Sequence, residues 1–441
     1  MLPGRSLDPV SDDRARGMIV TLRQRPERVL PRWTEFGLRL TAILPNLTMI
    51  NRATLGALGL LGVLALGPAG PGSIGASLAT ADGQAPGQIR PRPGEGRQPE
   101  SKPPTIREYK PRSTLVTPQH PVPHAKFPVI DIHSHQPTPV SGDEFRLVVK
   151  GMDANNLRLL VNLSGGWGSQ LRQGLEAIRT SAYRNRMVLF ANIDFRNVGP
   201  GFGARAAREF EDDLRAGAMG LKVFKDLGMF DRRSDGSRLR VDDQELDVIW
   251  ESCARLNVPV LIHVAEPQAF FDPLDYSNER WLELALFPDR RHQTGVRFEE
   301  LMTERDNMIR KHPRTRYILA HFGWHANDLA RAGRLLDENP NVYFDVAAVL
   351  YDFGRQPRAA HDFFVRYQDR ILFGKDSYQP DEYPYYWRVF ETTDEYFDYY
   401  RDYHAFWKLY GLGLPDDVLR KLYYQNALKL LPRLPYAGPT D

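Results

Sequence analysis

Cysteine is almost missing from this chain: Cys253 is the only one in 441 residues. No intrachain disulfide can form, and no cysteine cluster can hold a metal. Cys253 falls in a helical pattern and is expected to be a buried small apolar residue. Long apolar runs are missing too. The stretch 55–66, LGALGLLGVLAL, is shorter than the roughly 20 residues of a comfortable membrane span. No G-x-G-x-x-G or phosphate-binding loop follows the first predicted strand, which weakens an open doubly wound sheet. Nor is there a cationic surplus where the chain is expected to fold. The net charge is +3, but residues 1–48 hold eight Arg against five acids, and residues 49–126 hold nine Lys or Arg against four. The remainder is mildly acidic, which argues against nucleic acid as a partner.

Hydrophobic residues make up 42% of the chain and charged residues 26%, the balance of a globular protein with a sizeable core. The N-terminal third is different. Asn51-Arg52, the short apolar run and the small-residue stretch ending Ala79-Thr80-Ala81-Asp82 have the layout of a secretory signal peptide. Met49 stands where such a segment would start, so residues 1–81 are read as an extension plus signal peptide with Met49 as the true start. An uncleaved anchor is the alternative. The protein is therefore expected to be secreted or periplasmic, with no membrane contact beyond the signal segment. Residues 82–126 are rich in Pro, Gly, Gln and Arg and lack hydrophobic periodicity. Such a segment cannot bury enough apolar area to offset its ordering entropy, and is read as a flexible linker.

From 127 to 435 short apolar runs alternate with amphipathic helical patterns. Strands are predicted at 128–133, 157–163, 187–194, 218–224, 258–264, 315–321, 341–346 and 370–375. Helices are predicted between them, for instance over 204–216, 242–256 and 326–338. Eight βα units over roughly 300 residues fit a (β/α)₈ TIM barrel. Two connections are long and aromatic, 265–295 and 377–405. They would begin at the barrel mouth, where lids and pocket walls arise. The spacing over 394–409 predicts an extra helix packed on the barrel side.

Polar residues fall at the strand ends. The first strand runs Val129-Ile130-Asp131-Ile132-His133-Ser134-His135. Side chains at i and i+2 share a strand face, so two imidazoles lie close enough to share a metal. His263 lies near the end of the fifth strand, His321 ends the sixth and Asp376 follows the eighth. C-terminal strand ends converge on one mouth of a barrel. His120, His124, His292, His312, His361 and His404 do not follow the pattern.

The order His-x-His, LIHV, LAHFG, FGKD resembles the amidohydrolase superfamily, in the amidohydrolase-related branch that includes aminocarboxymuconate semialdehyde decarboxylase. Gly220-Leu221-Lys222 and Asn426-Ala427-Leu428-Lys429-Leu430-Leu431 extend the resemblance, which covers about 128–432. It implies one divalent metal, zinc first, with manganese, iron or cobalt as alternatives, held by His133, His135, His263 and Asp376. His321 would be the general base or polarise the substrate, with Asp376 beside it in catalysis. Asp131 is implied as a supporting group. Lys222 would bridge two metals if carboxylated, as in dinuclear members of the superfamily; an uncarboxylated lysine is the expectation for this branch. Trp324 and His325 are candidates for the pocket wall. The implied activity is an exported hydrolase that uses metal-activated water on an amide, ester or lactone-like bond of a small molecule. A non-oxidative decarboxylase is the runner-up, and an inactive metal-binding module the third reading. A homodimer is compatible with all three.

Overall fold

Strand β1, Val129–Ser134, has all six residues buried. Continuous burial is what a parallel strand covered on both faces requires, and the sequence VIDIHS meets it by pairing its embedded polar groups internally. Parallel to it runs β2, Leu157–Asn162, followed by β3, Met187–Leu189. A second parallel set contains β4 (Leu221–Val223), β5 (Val260–Ile262), β6 (Tyr317–Leu319), β7 (Val342–Asp345) and β8 (Ile371–Leu372), in that order. The structure is a computed structural model that describes residues 101–404, 407–436 and 438–439.

Backbone bonds join the two sets into a closed barrel. Lys222 N donates to Ala191 O at 2.8 Å, and Ala191 N to Gly220 O at 2.9 Å, linking β3 to β4. On the other side Ile132 N donates to Phe373 O at 3.0 Å and Asp376 N to His133 O at 2.7 Å, linking β8 to β1. The eight parallel strands thus form a (β/α)₈ barrel. Closure matters for chemistry, because it brings the end of β8 beside the end of β1.

Helices cover the outside. Gly142–Ala154 starts on a capping box: Glu144 N donates to Ser141 Oγ and Ser141 N to Glu144 Oε2, satisfying two of the free amides at the helix start. Phe202–Ala216, Asp247–Arg255, Phe298–Lys311, Leu329–Glu338 and Pro357–Arg366 follow. Cys253 is buried in Asp247–Arg255. The first two strands have nearly the predicted lengths, while the later ones are shorter in the structure, with only two to four residues paired in regular ladders.

The segment 394–409 departs from the helix predicted for it. Phe397–Asp398 and Lys408–Leu409 form a small antiparallel pair around the single turn Asp402–His404. Aromatic residues favour a pleated, half-buried surface as much as a helix, and an Asp398–Lys408 ion pair fixes the register. The proposed signal segment and the part of the linker before residue 101 lie outside the described residues. No helix among the described residues is long and apolar enough to cross a membrane.

Candidate active site

Four strand ends supply the site. His133 is buried, and His135 follows one turn of the pleat later. Asp376 Oδ1 lies 3.5 Å from His133 Nε2 and 3.4 Å from His135 Nε2. Gly374 makes this approach feasible: a Cβ there would stand 2.7 Å from His133 Cβ. The other nitrogens of both rings are occupied. His133 Nδ1 is 2.8 Å from Asp345 Oδ2, and His135 Nδ1 is 2.8 Å from Ser164 Oγ. His133 therefore donates Nδ1–H to the carboxylate and keeps Nε2 as a bare acceptor.

His263, just past β5, and His321, just past β6, face each other with ring centroids 4.4 Å apart; His321 is 4.9 Å from His133. His321 Nδ1 donates to Ala347 O at 2.9 Å, which leaves its Nε2 unprotonated. Of the four buried imidazole nitrogens without a hydrogen-bond partner among the described residues, two are here, His133 Nε2 and His263 Nε2, and two are on His404. A buried polar atom without a partner is costly. The ligand atoms of His133, His135 and Asp376 all lie within 4.8 Å of one another, a donor set that fits a divalent cation of the zinc or manganese kind, with His263 outside that close group. His133, His321 and Asp345 also cluster, but the Asp345 oxygens are taken up by hydrogen bonds within the protein.

Burial favours the neutral form of the imidazoles, while their charged forms favour the ionised Asp376 carboxylate. Burial lowers the His133 pKa well below its ordinary value, with the Lys222 ammonium adding to it. Burial brings His135 and His321 down to about 4. Burial acts to raise the Asp376 carboxyl, yet the surrounding imidazoles of His321, His133, His135 and His263 hold it below the usual range. Lys222 on β4 is buried, its ammonium 5.2 Å from the Phe224 ring centroid, and burial lowers it to about 8. Asp131 carries no bond to an imidazole. Its Oδ1 accepts from the backbone N of His133 at 2.9 Å and of Lys375 at 3.2 Å, and its Oδ2 accepts from Tyr383 Oη at 2.7 Å. It fastens the two ligand-bearing strand ends through their backbones.

The backbone at the mouth is strained. Ala265, His321, Phe322, Trp324, Ala348 and Asp376 all have positive φ, between 55° and 82°. Each such non-glycine residue costs about 1–3 kcal/mol, and such residues gather at functional sites. His321-Phe322-Gly323-Trp324 is a left-handed turn. Buried Arg305 holds it, donating Nη1–H to Gly323 O at 2.8 Å.

These groups open into a cleft of about 360 Å³ whose wall includes His263, His321, Asp376, Trp324, Tyr351 and Arg401. His325 does not reach it: the ring is buried, with Nε2 accepting from Arg305 Nη2 at 3.0 Å. Three residues at or around the site were missed in the sequence. Asp345 ends β7 just as His321 follows β6, so the strand-end pattern that picked out the others marks it too. Glu266, which pairs with Lys225 and lies 3.7 Å from His263 Nε2, and His292, on the cleft wall, carry no local signal.

The profile of the family described as amidohydrolase matches residues 176–433. The chain belongs to the amidohydrolase family. The matched span contains His263, His321 and Asp376 and begins after His133 and His135, which the closed barrel brings to the same place. No curated protein sequence matches. Solved structures similar to this amidohydrolase include a TIM-barrel protein from Bordetella bronchiseptica, 15% identical, covering 70% of this chain and 99% of that one at a TM-score of 0.42. A 4-oxalomesaconate hydratase from Rhodopseudomonas palustris is 14% identical, covering 69% and 96% at 0.44. A dihydroxybenzoic acid decarboxylase from a Polaromonas species, solved with manganese and an inhibitor, is 16% identical, covering 69% and 97% at 0.42.

Proposed function

We propose that this amidohydrolase is an exported metal-dependent hydrolase acting on an amide, ester or lactone-like bond of a small organic molecule. The observation that carries the reading is the cluster of His133, His135 and Asp376, with ligand atoms within 4.8 Å of one another and no hydrogen bond to the buried His133 Nε2 among the described residues. His133, His135, His263 and Asp376 would hold one divalent metal, zinc or manganese, which when bound supplies Lewis acidity and an acidified water. The chain's own residues do the rest. His321 enters the reaction neutral, its Nδ1–H fixed on Ala347 O, so Nε2 accepts the proton of the attacking water. The protonated ring then gives that proton to the leaving group. Asp345 stabilises the arrangement, receiving His133 Nδ1–H on one oxygen and the His321 backbone N–H on the other. Trp324 stacks on His321 with centroids 4.6 Å apart and keeps bulk water from that face of the ring.

Lys222, without a hydrogen bond to its ammonium among the described residues, is assigned an electrostatic role rather than a bridging one. Residues 49–81 are assigned as the export signal, residues 82–126 as the spacer and residues 127–435 as the catalytic domain. A non-oxidative decarboxylase is the second reading, favoured by Arg401 on the cleft wall, which would hold the carboxylate of an acid substrate. A panel of chromogenic esters, lactones and aryl acids on the metal-loaded protein tests both. Ester or lactone turnover supports hydrolysis, carbon dioxide release from an aryl acid supports the second reading, and turnover of neither with metal bound contradicts both.

A further inference from the structure

The cleft wall carries four cationic side chains, and three of them have a carboxylate partner, Arg280 and Arg290 sharing one. Lys225 pairs with Glu266. Arg280 and Arg290 both pair with Glu283, each at 2.6 Å. Arg401 is the exception. Its guanidinium makes no hydrogen bond and no ion pair with any carboxylate among the described residues; its surroundings are phenol rings, with Tyr400 5.6 Å from its centre. It lies on the same cleft as Asp376, His263 and His321. Its own segment, between the short strands Phe397–Asp398 and Lys408–Leu409, is the antiparallel hairpin that the β8 connection adds to the barrel. An unpaired guanidinium held among aromatic rings, with five N–H donors and no acceptor, is an anion receptor waiting for its partner.

We propose that Arg401 is the residue that recognises an anionic group of the substrate, a carboxylate or a phosphoryl group, and so fixes which end of the molecule faces the His321 side of the cleft. The role rests on the cleft being the substrate site, as the hydrolase reading holds, but not on the bond that is cut. Glu283 cannot serve in its place for a cationic substrate, because Arg280, Arg290 and His404 already surround it.

Binding tests this without turnover. Isothermal titration of the metal-loaded full chain with benzoate, phenyl phosphate and the neutral benzamide should show at least one anion bound, and bound at least about tenfold more tightly than benzamide. Benzoate and phenyl phosphate distinguish the two anion classes. Arg401→Gln should erase the preference, and Arg401→Lys should keep it at reduced affinity, since an ammonium lacks the planar fork. His263→Ala controls for an anion held by the metal, and should keep the preference. Native-like anion affinity in Arg401→Gln, a preference lost in His263→Ala but kept in Arg401→Gln, or no anion binding by the native chain each overturns the proposal. Should Arg401→Gln fail to fold, undiminished affinity in Arg401→Lys overturns it instead. Loss of turnover on every ester and lactone with the anion preference intact would refute the hydrolase reading and leave Arg401 in its role.

Discussion

Asp345 Oδ2 lies 2.8 Å from His133 Nδ1, while its Oδ1 accepts the backbone N–H groups of His321 at 2.9 Å and Ala347 at 3.1 Å. One buried carboxylate thus sets the tautomer of His133, the proposed metal ligand, and the position of His321, the proposed base. Ligand histidines owe much of their affinity to such partners.

Asp345→Asn keeps the volume and one acceptor oxygen. If that oxygen keeps the two backbone N–H groups, the amide NH₂ faces His133 Nδ1 and forces the ring to accept there. The proton then sits on Nε2, where a metal would bind. The variant should fold with nearly native stability and bind zinc about 10–100-fold more weakly. Competition against a chelating dye measures this, and native affinity would show that the tautomer does not matter.

Gly374→Ala places a methyl 2.7 Å from His133 Cβ. Neither backbone can retreat, because Asp376 N and His133 O are bonded at 2.7 Å across the barrel closure. A loss of about 1–3 kcal/mol in urea unfolding is expected, with reduced metal content. Full stability and full metal would mean that the closure is looser than drawn.

His325 titrates in the unfolded chain near 6.5 but only at about 2 when folded, through burial and then the neighbouring Arg305 charge. Between those values the unfolded state binds the proton and the folded state does not, so stability falls as pH drops below 6.5. His325→Gln preserves an acceptor for Arg305 and removes the titration. Its stability from pH 6 to pH 4 should decline less steeply, by about 1.4 kcal/mol per pH unit. Urea melts at each pH check it; an unchanged slope would place the acid sensitivity elsewhere, among His133, His135, His321 and His404.

Much of this was legible before folding. Apolar runs ending in His or Asp mark strands whose C-terminal ends meet, so His133, His135, His263, His321 and Asp376 could be named together from their spacing and the family resemblance. Asp345 escaped only because it looked like the polar end of an ordinary strand. The rest had no local signal. Nothing in LAHFGW says that His321, Phe322 and Trp324 take left-handed φ, since only Gly323 favours it. Arg401 stands out only against the ion pairs of Lys225, Arg280 and Arg290, and which cations share its cleft is set by the fold, not by the local sequence. The 394–409 stretch misled because its aromatic spacing suits a helix as well as two very short strands.

The central claim is that His263 holds the metal and His321 does not. Elemental analysis of the purified native chain, His263→Ala and His321→Ala, each after dialysis against zinc, tests it most directly. The native chain and His321→Ala should carry about one ion per chain, and His263→Ala far less, because a three-ligand remnant binds weakly. Equal loss of metal in His321→Ala and His263→Ala would make His321 a ligand and contradict the account.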